Sequence, residues 1–210
     1  MKEVPKKVWK RRIVTALLVI AGSILVLFPA WLPDHPTLPT EESAVEGLQV
    51  FLLLAAAAFW FGAAKAAGKI GPFYKLMGLG GVAAAIAETE GMAQAYLPFP
   101  LHFIFFPAAV WGILLFFKNQ KYFPRFYAEF TSHPAAGFFA SAFIMIYVLA
   151  RLLGRPFLWQ ETLGINYHRD VPETVGSYLE LLACYFLMVG TIGLCIKEKQ
   201  GDLTDENQSS

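Results

Sequence analysis

Glu180 sits about five residues into the long apolar run 175–196. An isolated carboxylate in a lipid-embedded helix is costly and normally faces the interior of a bundle. At about 100° per residue, Glu173, Ser177, Glu180, Cys184 and Thr191 fall within roughly 60° of one another. The opposite surface of the same run is Leu, Tyr, Phe, Ile and Val. A polar stripe this narrow is expected to point inward.

Glu88 and Glu90 form a second acidic position, after only twelve apolar residues, 76–87. Glu88 then lies about 18 Å along the helix from its basic edge, still within the hydrocarbon. The two acids are about 200° apart, so both cannot face the bundle. Glu90 shares its face with Gln94 and with small Ala87, Ala83 and Gly80, which makes it the better inward candidate. Arg151 and Arg155, near the end of another apolar run, are natural counter-ions for these acids, since a buried charge needs a partner. The candidate polar cluster is therefore Glu88, Glu90, Arg151, Arg155, Glu173, Ser177 and Glu180. Its possible chemistry is a proton or cation relay, acid–base work by paired carboxylates with an arginine holding phosphate, or purely structural pairing.

The elements that must position these groups are membrane helices. Hydrophobic residues make up 56% of the 210 residues and charged residues only 16%, against roughly 25% charged in soluble domains. A net charge of +1 excludes a basic nucleic-acid binder. Six runs approach the roughly 20 apolar residues a span needs: 13–32, 47–64, one starting after Lys75, 103–117, 135–153 and 175–196. The expected fold is an all-α polytopic bundle of about six transmembrane helices.

Basic residues set the orientation. Lys2, Lys6, Lys7, Lys10, Arg11, Arg12, Lys65, Lys69, Lys75, Lys118, Lys121, Arg125, Lys197 and Lys199 fall on one side. They are 14 of the 17 basic residues; Arg151, Arg155 and Arg169 fall on the other. Both termini are predicted cytoplasmic. The first apolar run exceeds the 7–15 residues of a signal-peptide core, and it reads as a retained signal-anchor. The organisation is a basic tail 1–12, a transmembrane domain 13–196 and a solvated, disordered tail 197–210.

Membrane helices associate where small residues let backbones approach. Ala55–Ala58 and Gly62, then Gly80/Ala84 and Gly81/Ala85, then Ala136/Ala140 and Gly137/Ser141 mark the second, third and fifth spans as the interior. The bulkier first and fourth are expected to face lipid. Ser43–Glu46 and Asp170–Glu173 fit capping boxes at helix starts, a structural role. Residues 122–130, with Pro124 in a first turn, read as a short interfacial helix with Arg125 outward. The stretch 154–174, with Phe157, Leu158 and Trp159, is the longest outer loop and a candidate lid.

No nucleotide, zinc or serine-hydrolase motif is present. Cys184 and Cys195, about 16 Å apart along one helix, cannot pair. His102 and His168 lie on the outer side without metal-ligand spacing. No cofactor and no metal are implied.

The patterns E-E-S-A-V-E-G-L-Q at 41–49, A-E-T-E-G at 87–91 and P-E-T-V-G-S-Y-L-E-L-L-A at 172–183 resemble small, uncharacterised bacterial multi-pass inner-membrane proteins with acids at the outer ends of several helices. The resemblance implies a bacterial plasma membrane and assigns no role to any residue. Three functions fit: a non-catalytic scaffold or accessory subunit, a proton- or cation-coupled carrier, and an outer-leaflet enzyme acting on a lipid-linked phosphate. The expected partners are the lipid bilayer and a second copy or another membrane protein.

Overall fold

The computed structural model describes residues 22, 24, 41–89, 102–168 and 170–206. Among them every regular element is helical. In chain order these are α1 (Glu41–Ala66), α2 (Gly71–Glu88), α3 (His102–Asn119), α4 (Phe123–Ser132), α5 (Ala136–Leu153), α6 (Pro156–Leu163) and α7 (Asp170–Glu206). Four are long and apolar enough to cross a membrane, over Ala44–Ala66, Gly68–Glu88, Ala136–Leu153 and Asp170–Cys195. Helices of this length and apolar character fit an integral membrane protein. The first apolar run lies outside the described residues except for Gly22, which meets the Tyr185 ring of α7, and exposed Ile24.

The helices outrun their apolar stretches because ends reaching the interface can carry charge. α1 begins at Glu41, six residues before the apolar run, and acids favour a helix N-terminus. α2 begins at Gly71, with Pro72 in its first turn, where the missing N–H costs nothing. The turn before it passes through Gly68 at φ +51°, a left-handed conformation that glycine adopts without strain. α7 continues as helix to Glu206, through most of the stretch expected to be a structureless tail.

α1 is the central helix, with α2 antiparallel on one side and α7 parallel on the other. The parallel pairing is fixed at two heights. Gln49 bonds to Ser177 near one end, and Cys195 donates to the Phe59 carbonyl at 3.5 Å near the other. α1 and α2 approach closely at Gly81, where a Cβ would stand 3.2 Å from that of Ala57 and 3.3 Å from the Leu53 oxygen.

The interior differs from the sequence expectation. In the membrane windows of α1 and α7, 44% of residues are buried, against 33% in α2 and 17% in α5. α5, expected in the interior, is therefore peripheral, and α7 takes its place in the core. Gly137 has open space around it and Ala140 is exposed, so small residues there permit an approach that no helix among the described residues makes. α5 instead presents Phe143, Ile144, Tyr147 and Val148 outward. Midway it changes to a π-helical segment, Met145–Ala150, before closing with a last turn at Arg151.

Two clusters fill the core. One joins Val45, Leu52 and Leu53 of α1 to Ala85 of α2 and Leu181, Cys184, Tyr185 and Val189 of α7. The other, at the lysine-rich end, is aromatic. Trp60 stacks on Tyr74 with centroids 5.3 Å apart, and Phe73 stacks on Phe126 of α4 at 5.2 Å. α4 is the short helix expected at 122–130, with Pro124 in its first turn and Arg125 exposed and paired with Glu129 at 2.8 Å. Its Phe126 is buried against the bundle.

Candidate functional site

Three carboxylates converge from three helices at the end opposite the lysines. Glu46 stands near the start of α1, Glu88 is the last residue of α2, and Glu180 lies ten residues into α7. Since α2 runs against α1 and α7 runs with it, these positions share one level of the bundle. Glu88 lies within electrostatic reach of Glu180 and Glu46, and Cys184 faces Glu88 and Glu180. All three carboxylates are half-buried, while Cys184 is fully buried.

Gln49 sits directly beneath. It is 2% exposed, and its Nε2 donates to the Ser177 carbonyl at 3.1 Å, tying α1 to α7 just below the acids. Buried polar groups are retained in cores when they are hydrogen-bonded. Further along α7, Thr191 is fully buried and donates back to the Leu187 carbonyl.

The residues singled out in the sequence divide. Glu180 and Glu88 come together. Glu173 is exposed in the first turn of α7, where the macrodipole favours an acid. Ser177 is half-buried, and its hydroxyl donates to the Glu173 carbonyl at 3.1 Å, back along its own helix. Arg151 is exposed at the end of α5 and within electrostatic reach of Glu180. It closes no ion pair with any acid among the described residues, where Arg125–Glu129 does close. Arg155 is exposed at the cap of α6. Glu90 lies outside the described residues, and α2 ends at Glu88 with the Thr89 hydroxyl donating to the Ile86 carbonyl.

Two members of the site are missing from the sequence-derived set. The first is Glu46, expected to serve in a capping box with Ser43. α1 starts at Glu41, so Ser43 lies within the helix rather than at its cap position. The second is Gln49. A signal for it existed: Val45, Gln49, Leu52, Leu53 and Ala56 recur at helical spacing, so the amide occupies a position on a core-facing stripe.

The stretch between α5 and α7, the candidate lid, is largely helical. α6 is pinned by the Trp159 indole N–H, which donates to the Leu153 carbonyl, while Phe157 and Ile165 stay exposed. His168 is exposed. Among the described residues no three His, Cys, Asp or Glu side chains are grouped to hold a metal ion. The arrangement can share protons among carboxylates on three helices or attract a hydrated cation. The chain matches no protein-family model, no curated protein and no solved structure.

Proposed function

We propose that this protein acts in the bacterial inner membrane as a proton- or cation-coupled carrier, with its lysine-rich end and both termini in the cytoplasm. The convergence of Glu46, Glu88 and Glu180 from three helices, with no arginine among the described residues closed onto any of them, supports the reading. Three like charges gathered at one end of the bundle, partly withdrawn from water, need a compensating positive charge. A purely structural cluster is expected to supply it from the protein, as an ion pair. Here the supply is left to a proton or a cation from outside. The six-span count and the full polar cluster, including Glu90, Arg155 and Glu173, belong to this proposal.

The test is flux in proteoliposomes under an imposed pH or cation gradient. Wild type is expected to dissipate the gradient, and Glu180→Gln and Glu88→Gln to abolish that flux while still folding. Undiminished flux in both variants removes the cluster from any transport role.

A second reading, a non-catalytic scaffold or accessory subunit, is favoured by the Gln49–Ser177 tie, a helix-locking contact that transport does not require. It predicts a stable membrane partner in a mild-detergent pull-down. A lone monodisperse protein with gradient-driven flux decides for the carrier.

A further inference from the structure

The outward face of α3 is an apolar strip that ends in paired lysines. Val110, Leu114 and Phe117 follow one another at helical spacing and are 41%, 61% and 61% exposed. Lys118 and Lys121 continue the same line, both exposed, at the point where the helix tightens into a 3-10 turn. Neither lysine is ion-paired among the described residues, whereas neighbouring Arg125 is held by Glu129. Lys121 Nζ stands 4.9 Å from the Tyr122 ring centroid, which fixes it near the helix end. Tyr127 of α4, 58% exposed, stands at the same end with its ring 6.2 Å from Phe123.

Lys65, Lys69 and Lys75, all exposed, lie at the same end of the bundle. Glu129, the acid of α4, is already engaged. An apolar strip about 11 Å long, capped by two ammonium groups without an ion pair among the described residues and by a phenolic hydroxyl, complements one kind of molecule. We propose that this strip is a docking site for an anionic glycerophospholipid. An acyl chain lies along Val110, Leu114 and Phe117, and the headgroup phosphate sits against Lys118 and Lys121 with Tyr127 at its rim. Ammonium groups at the headgroup level favour anionic over zwitterionic lipid, and aromatic hydroxyls suit the same depth.

The experiment is native mass spectrometry of the full chain released from detergent micelles doped with phosphatidylglycerol or phosphatidylcholine. Wild type is expected to retain phosphatidylglycerol in preference. The Lys118→Gln/Lys121→Gln double variant is expected to lose that preference by on the order of tenfold. A Lys69→Gln/Lys75→Gln variant, which alters the same net charge away from the strip, is expected to keep it. Equal retention of both lipids by wild type overturns the proposal. So does an unchanged preference in the first double variant, or an equal loss in both, which marks bulk charge rather than a site. Inorganic phosphate is expected to leave the thermal midpoint unmoved. A shift equal to that given by phosphatidylglycerol also overturns the proposal, since headgroup chemistry would then act without the chain.

Discussion

The two ends of the bundle are held together by different physics. At the lysine-rich end, Trp60, Phe73, Tyr74, Phe126 and Phe139 interlock as rings, with Trp60 3% exposed and 5.7 Å from Phe139. Each ring buries a large area, and the stacked and edge-to-face pairs add to that burial. At the acidic end the three helices pack through a largely aliphatic cluster that includes Val45, Leu52, Ala85 and Leu181, and the Gln49 amide ties α1 to α7 beneath three carboxylates with no closed counter-ion among the described residues. Charge is kept there that packing does not require. In the proposed carrier, aromatic packing sits at one end of the bundle and the chemistry at the other, so that substitutions at the acidic end are expected to be tolerated by the fold.

The comparison is most exposed to failure at Trp60. Trp60→Ala is expected to cost about 3–5 kcal/mol, the range for deleting a large core aromatic, seen as a large drop in thermal midpoint and folded yield in detergent. A change no larger than those at the acidic end would break the contrast. Gly81→Val is next, because its added atoms meet Ala57 and the Leu53 backbone oxygen. Overpacking there is expected to destabilise by about 1–3 kcal/mol. Gln49→Leu removes the tie to Ser177 but keeps the volume, and a loss of about 1 kcal/mol is expected. Glu180→Gln should have the smallest effect, with thermal stability unchanged or raised in the same detergent. A clear loss would mean that Arg151 closes onto Glu180 in the membrane, and the acidic end would then be structural after all.

Hydropathy made the second, fifth and sixth spans legible within a few residues, because desolvation of apolar side chains is a local property of the run. It misplaced the starts of α1 and α2, where helix continues past the hydrocarbon into residues that carry charge. Which helices are central was less legible. Small residues in α5 marked it as interior, yet close packing needs a matching surface opposite, and α7 took that place with Thr191, Leu181 and Ala183 fully buried. The site was half legible. The stripe through Glu180 and Cys184 follows from one helix's own periodicity. The meeting of Glu46 with Glu88 depends on the register between two helices, which no single segment encodes. A local capping signal at Ser43 accounted for Glu46 too readily.

The π-helical segment Met145–Ala150 has a consequence for the genetics of α5. A π turn holds one residue more than the α turn it replaces, and commonly appears as a single-turn bulge inside an otherwise regular helix. The chain on either side keeps its phase, as though an inserted codon had been absorbed on the spot. Removing Val148 should let the segment relax to α geometry and leave Arg151 aimed as before. Removing Ala140 instead should turn everything downstream by about 100° and carry Arg151 away from Glu180. A pair of one-codon deletions eight residues apart thus separates tolerance from disruption, with folded yield in detergent as the readout.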